Sequence, residues 1–350
     1  MTIKEIAKLA NVSLGTVDRV IHDRGKVSPK IKIKILEILK RVDYKPNIYA
    51  RGLVLNKSFT IAALVPSFEA GEYWEMPQNG IKKAEQDFKQ FGMGVKFFYF
   101  DQNSPESFIT QAQKIIDLKP NGVILAPVIN SEAIKLTKKL KQLKIPFTII
   151  DSNILNCGAL SFIGQDAYQS GKLAAKLLKS EIGESGNISI ISIKNNDNYN
   201  KTFQKRINGF KDYFLEREVL RKIIIREFDI HEHSRDWKEI LRNACSLKDI
   251  AGIYVPSSKV HFVAEVIDDL RLQIKLVGND LIDRNMFYLK KDLINYVICQ
   301  RPEIQGYLAL DTFYKLFVFK QAITKEKYLP LDIITQENLD FYDNKLDNLR

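Results

Sequence analysis

The chain has 350 residues, 45% hydrophobic and 27% charged, with a formal net charge of +11. That length allows two or three domains with real cores, and the lack of any run of about 18 apolar residues excludes a transmembrane helix. The charge is uneven: residues 1–60 hold thirteen Lys/Arg against five Asp/Glu, an excess of eight, which leaves only three for the rest. A polyanion partner for the N-terminal end is the natural inference. MTIKEIAKLANVS has neither the apolar core nor the cleavage site of a secretory signal. The three cysteines, Cys157, Cys245 and Cys299, form no CxxC, so a cytoplasmic protein with reduced thiols is expected.

In chain order, TIKEIAKLA opens with Thr2-x-x-Glu5, a capping box, and Ile3, Ile6, Ala7 and Ala10 recur at helical spacing. NVS breaks that helix and places Ser13 to cap the next. In LGTVDRVIHD, Val17, Val20 and Ile21 share one face, while Leu14, Gly15, Asp18, Arg19 and His22 fall largely on the other. SPKIK starts a third helix, with Ser28 as its cap and Pro29 in its first turn, where a missing N–H costs nothing. Two short helices braced by a third make a helix-turn-helix unit whose second helix fits the major groove. Its first residues reach base edges: Leu14 can meet a thymine methyl, and Arg19 a guanine or a phosphate. The periodicity alone would suit any small three-helix domain equally well.

The segment from Thr2 to Pro66 resembles the N-terminal end of lactose-repressor-type (LacI/GalR) transcription factors, on the motifs TIKEIAKLANVS, TVDRV, KVSP, YKPN and ARGL. The resemblance extends more weakly over nearly the whole chain. It implies operator-DNA contacts by Thr2, Ser13, Leu14, Gly15, Thr16, Arg19 and His22. It implies further contacts from a hinge helix by Asn47, Tyr49, Ala50, Arg51 and Leu53, with Leu53 wedged into the minor groove. So short a helix is marginal in water, and Gly52 weakens it by about 1 kcal/mol relative to Ala. Two copies packed together on DNA could fold. Asp18 and His22 depart from the family, where Ser and Asn are common, and Gly15 lacks a side chain where many relatives read a base. The operator sequence is therefore not legible.

From Phe59 onward short apolar runs alternate with helical stretches. FTIAALVP, GVKFFYF, GVILAP, PFTIID and LSFIG form one series; NISIISI, RKIIIREF, AGIYVP and KLVGND form a second. Two β-α-β series predict an α/β fold with two parallel-sheet subdomains. With the resemblance, the expected architecture is a three-helix head, a hinge helix and two doubly wound subdomains of the periplasmic-binding-protein type I. The expected boundaries are 1–45 for the head, 46–58 for the hinge and 59–350 for the effector-binding body. Within the body, the N-subdomain is placed at about 59–158 and 291–323, and the C-subdomain at about 159–290 and 324–350. INYVICQ and the helix after it are assigned to the first sheet, and LDIITQENLDFY to the second.

Ligands of open parallel sheets sit at the carboxyl ends of the strands. That rule selects Phe68, Tyr73, Trp74, Asp151, Asp280 and Gln300, with Arg206 at a helix start after a polar loop. Aromatic faces with carboxylate, amide and guanidinium groups suit a polyhydroxylated small molecule. The resemblance implies that the positions matching Arg206, Asp280 and Gln300 bind ligand. Asp101 is read as a turn former, and the HEH at 231–233 as a solvated loop. No P-loop, GxGxxG, HExxH or GxSxG is present, so neither an enzyme nor a cofactor is expected. The expected partners are operator DNA, a carbohydrate effector and a second copy of the chain, with no membrane. Two readings compete: a solute-binding protein serving a sugar transporter, which the basic head opposes, and a sugar-processing enzyme, for which no machinery is visible.

Overall fold

The computed structural model describes residues 2–21, 25, 27–42, 58–183, 186–194, 201–216, 223–232 and 234–342, in two units, Met1–Leu55 and Asn56–Arg350. In the first unit, α1 (Ile3–Ala10), α2 (Leu14–Ile21) and α3 (Pro29–Arg41) pack pairwise. They enclose Ile6, Ala7, Ala10, Val17, Val20, Ile35 and Ile38. The capping box is formed: the Glu5 N–H donates to Thr2 Oγ1 at 3.3 Å, and the Thr2 N–H to Glu5 Oε2 at 2.8 Å. Asn11 ends α1 in the left-handed region, φ 54°, which Asn enters more readily than most residues. Ser28 departs from expectation. Its side chain makes no cap hydrogen bond, and Pro29 alone fits the helix start, because proline removes one of the donors a cap would satisfy.

The second unit holds two six-stranded sheets. The first contains β1 (Phe59–Pro66), β2 (Met93–Phe100), β3 (Gly122–Leu125), β4 (Phe147–Asp151), β5 (Ser161–Gly164) and β11 (Glu326–Tyr328). Their order is β11-β5-β4-β3-β1-β2, all parallel. The second contains β6 (Asn187–Lys194), β7 (Ile225–His231), β8 (Ile250–Tyr254), β9 (Lys275–Asn279), β10 (Tyr296–Cys299) and β12 (Asp332–Ile334), ordered β12-β10-β9-β8-β6-β7. Only β12 runs antiparallel. Residues 61–66 of β1 are all buried, as a central parallel strand covered on both faces requires. The connecting helices are α4 (Glu75–Phe88), α5 (Pro105–Leu118), α6 (Asn130–Gln142), α7 (Ala167–Ile182), α8 (Lys201–Leu215), α9 (Trp237–Cys245), α10 (Val260–Leu270), α11 (Asp283–Lys290) and α12 (Pro302–Tyr314).

The chain passes between the lobes three times: between β5 and α7, between β10 and α12, and between β11 and β12. This corrects the expected subdomain limits at three points. β5 belongs to the first sheet, so the first lobe runs to Gly164 rather than about 158. β10 lies in the second sheet between β9 and β12, and only the helix after it, α12, returns to the first lobe. β11 pairs with β5, so residues 324–350 are shared between lobes. Both sheets demand the same buried apolar runs, so YVIC does not state which sheet it completes, whereas β11 is three exposed residues, EKY, with no apolar signal at all. The second and third passages are tied together where Arg301 holds Asp332 through two hydrogen bonds of 2.6 and 2.9 Å.

Both lobes use one device to bring a pair of helices together. A Cβ on Gly80 of α4 would lie 1.8 Å from the Glu303 carbonyl oxygen, and one on Gly306 of α12 would lie 2.0 Å from that of Pro77. In the second lobe, a Cβ on Gly171 of α7 would lie 1.8 Å from the Arg206 carbonyl oxygen, and one on Gly209 of α8 would lie 2.0 Å from that of Tyr168. These backbone-to-backbone contacts fix the close spacing of each helix pair. Among the described residues, no helix is long and apolar enough to cross a membrane.

Candidate functional sites

The head offers one face of α2. Val17 and Val20 are buried, whereas Leu14, Gly15, Asp18 and Arg19 are exposed and Thr16 is half-buried. Ser13 caps the helix: the Thr16 N–H donates to Ser13 Oγ at 3.2 Å, and the two hydroxyls lie 2.9 Å apart. Thr2 stands at the start of α1. His22 and the hinge residues Asn47, Tyr49, Ala50, Arg51 and Leu53 lie outside the described residues.

The second unit contains a cleft of about 770 Å³, lined from both lobes. Six of the seven residues selected for a ligand meet there: Tyr73, Trp74, Asp151, Arg206, Asp280 and Gln300. Phe68 does not join them. The ladder continues one residue past β1, with the Ser67 N–H on the Phe100 carbonyl at 2.8 Å. The Phe68 ring then stands edge-on to Tyr99 at 6.3 Å.

Two aspartates anchor the site from equivalent places. Asp151 is the last residue of β4 and Asp280 directly follows β9, and both adopt the left-handed region, φ 66° and 68°. Asp is one of the few residues that tolerate this conformation, so each strand can turn sharply and leave its carboxylate at the cleft. Asp151 accepts from the Tyr73 hydroxyl and from Ser152 Oγ, each at 2.9 Å. Burial, then the charges of Asp151 and Asp280, push the Tyr73 phenol well above its usual range, so it stays protonated and donates. Asp280 is 4% exposed and accepts from Gln300 Nε2 at 2.8 Å. Burial raises its pKa to about 6, with Arg206 and Gln300 opposing and Asp151 assisting.

Gln305 of α12 ties the two aspartates across the lobes. Its Oε1 accepts the Asp151 N–H at 2.9 Å and its Nε2 donates to the Gln300 carbonyl at 2.9 Å. Ser152 and Thr202, one from each lobe, add a hydroxyl pair 2.6 Å apart. Arg206 is 1% exposed. Its Nη1 donates to the Pro256 carbonyl at 2.8 Å, while Nε and Nη2 have no hydrogen-bond partner. Unpaired buried donors cost roughly 1–3 kcal/mol each, and a ligand with acceptor oxygens removes that cost.

Several cleft groups escaped the sequence reading, three of them instructive. Ser257 lines the cleft just past the end of β8 at Tyr254, and so falls under the same strand-end rule as Asp280. Glu232 lines the cleft and pairs with Lys259, so that part of HEH is not simply solvated. His261 lies inside α10, the helix that follows β8, where the apolar pattern VHFVAEVI conceals a polar contact. Asp101 does form a turn, accepting the Asn103 N–H at 2.8 Å.

Comparison with known proteins is consistent across both units. Residues 61–321 match the periplasmic binding protein domain, and residues 2–47 match the bacterial regulatory proteins of the lacI family. The ribose operon repressor of Lactococcus lactis is 26% identical over 350 residues, covering 97% of this chain and 98% of that protein. The sucrose operon repressor of Streptococcus mutans is 26% identical over 345 residues, covering 96% and 99%. A solved structure from Bacteroides fragilis, assigned as a LacI transcriptional regulator, is 30% identical. It superposes with a TM-score of 0.74 over 82% of this chain and all of that one. GanP, a glucose-galactose binding protein from Geobacillus stearothermophilus, shares the fold at 20% identity, with a TM-score of 0.70 over 81% of this chain and 99% of its own. With a helix-turn-helix head in the first unit and a two-lobed cleft in the second, the chain belongs to the lacI family of bacterial regulatory proteins.

Proposed function

We propose that this regulator grips an operator as a homodimer and that an uncharged sugar, bound in the cleft between the two lobes, controls the grip. The observation that carries the sugar reading is Arg206: a fully buried guanidinium with two donors unpartnered, in the same cleft as buried Asp280 and the donating phenol of Tyr73. Hydroxyls both donate and accept, so one polyol can satisfy carboxylate and guanidinium together. Charge argues for an uncharged ligand. The cleft is lined by eight carboxylates against four lysines and arginines, a balance that repels a sugar phosphate. Related structures carry alpha-D-tagatopyranose, D-arabinose or D-allose, which makes these sugars reasonable first probes. Thermal denaturation of the full chain with each sugar, and with its phosphate ester, tests the reading. A neutral sugar is expected to raise Tm, and its ester to do so less; a larger shift from the esters overturns the charge argument.

The switch follows from differential binding. A sugar held by Asp151 from one lobe and by Arg206 and Asp280 from the other favours one angle between lobes. That angle sets the separation of paired hinge segments, and the coupling is reciprocal. Leu53→Ala is expected to weaken operator binding by tenfold or more, since the wedge's contacts must offset an unstacking cost on the order of a few kcal/mol, while leaving the sugar's affinity for free protein unchanged. Fluorescence anisotropy on a duplex selected from genomic fragments, beside calorimetry with the sugar, measures both. Full operator affinity in the variant would sink the wedge.

A further inference from the structure

We propose that His261 is a direct contact of the effector, its Nε2 accepting a hydrogen bond from a hydroxyl of the bound sugar and so helping to set which sugar fits. The proposal rests on the reading of the cleft as a sugar site and adds an acceptor to it. His261 lines the cleft yet is only 7% exposed, so its ring has a fixed pose.

The network around Asn285 decides which ring nitrogen carries the hydrogen. Asn285 Nδ2 donates to the carbonyls of Asp280 at 2.7 Å, Ser258 at 2.9 Å and Asn279 at 3.3 Å. These carbonyls fix the orientation of the amide. Its Oδ1 therefore faces His261, where it accepts the backbone N–H at 3.1 Å and meets Nδ1 at 3.0 Å. An amide oxygen only accepts, so Nδ1 bears the hydrogen, and in a neutral imidazole Nε2 is then a bare acceptor. Asn285 engages the backbone N–H and Nδ1 and does not itself engage Nε2. The same amide grips the Asp280 carbonyl, so one buried side chain positions both the imidazole and the effector carboxylate.

The ring is held neutral. Burial lowers the imidazole pKa below its usual value, and Arg284 of α11 adds to this; Asn285, the Ser258 carbonyl and Glu232 at the end of β7 oppose. Glu232 is itself engaged by Lys259. At neutral pH Nε2 thus keeps its lone pair, in a cleft where Arg206 and Tyr73 act as donors.

Two substitutions separate contact from support. His261→Asn can keep a donor where Nδ1 stood but removes Nε2; His261→Gln places an amide near Nε2. Calorimetry of the full chain with D-ribose, D-arabinose, D-allose, D-tagatose and D-galactose identifies the tightest probe. For that sugar, His261→Asn is expected to raise Kd about tenfold, the worth of one hydrogen bond, with Tm of the empty chain unchanged and His261→Gln recovering part of the loss. The ratio of variant to native Kd should shrink towards one only at pH well under the usual imidazole value of about 6.5, because burial lowers the pKa at which the native ring protonates. Asp280 titrates in both proteins and largely cancels in that ratio. An unchanged Kd in His261→Asn overturns the proposal, as does a loss of affinity that tracks a loss of Tm with no recovery in His261→Gln. If His261→Asn fails to fold, His261→Gln is expected to bind about tenfold better than His261→Phe, and equal binding overturns the proposal. A native chain that binds none of the five sugars overturns the sugar reading itself and the contact with it.

Discussion

Asp280→Asn is expected to make the empty protein more stable at pH 7 and at the same time weaken its hold on a sugar at least tenfold. The native carboxyl titrates at about 6, against the 3.8 usual for an aspartate. Folding therefore makes ionisation of this group harder, mainly because the site is buried. The sign follows from linkage. Between about pH 4 and pH 6 the folded chain binds more protons at Asp280 than the unfolded chain. Stability contributed by this group is full below about pH 4, falls as pH rises, and stays low above about 6. At about 1.4 kcal/mol per pKa unit, the penalty at neutral pH is on the order of 2–3 kcal/mol. Asn has the shape of the protonated acid, tolerates the left-handed backbone as Asp does, and keeps an oxygen for Gln300 Nε2. It removes the penalty and with it the charge-assisted acceptor for a sugar hydroxyl, an interaction worth about 1.5–3 kcal/mol. Thermal scans of both proteins from about pH 3.5 to 8 should show curves that meet near pH 4 and separate by several degrees at neutrality. Calorimetry should show affinity reduced at least tenfold. Coincident melting curves across the range would refute the account of Asp280.

Gly171→Ala should be as damaging as any single methyl group in this molecule. The added carbon would lie 1.8 Å from the Arg206 carbonyl oxygen, 2.7 Å from its carbon and 2.9 Å from the Phe210 nitrogen. All three are backbone atoms of α8, so no rotamer change relieves the clash and the two helices must part. Forced overpacking costs about 1–3 kcal/mol and sometimes more, and this case belongs at the upper end. The movement also displaces Arg206, so sugar affinity should fall with stability. Gly94→Ala is the control: its Cβ would meet only the Phe59 carbonyl oxygen, at an ordinary 3.9 Å. Denaturant melts of both variants settle the comparison. Equal midpoints would show that helix proximity at Gly171 does not constrain the fold.

Much of this molecule could be read from its residues, and the failures share a cause. Capping boxes and apolar spacing are local properties, so the three helices of the head were legible, as was the alternation of strand and helix. The strand-end rule found Asp151, Asp280 and Gln300 because the turn after a parallel strand is also local. It misplaced Phe68 because one further ladder bond, Ser67 to Phe100, keeps that residue on the strand's course beside Tyr99. It passed over His261 because a helical position reports burial and not which polar neighbour shares it; Asn285 lies 24 residues away. The allocation of β10 depended on which sheet it would complete, and β11 is too short and too polar to announce itself; no single segment encodes either.

The threefold passage between lobes also bears on how the chain comes to be made. The first sheet lacks β11 until residue 328 has been synthesised, and α12, which packs on α4 and over β3, β4 and β5, ends at Tyr314. On a ribosome adding about 5–20 residues per second, β5 emerges roughly 8–30 s before its covering helix. During that interval the nascent chain presents an open sheet edge and a bare apolar flank to its surroundings, the condition under which chaperones bind. The lobe that is translated first thus waits for residues near the other end of the chain before its sheet is complete.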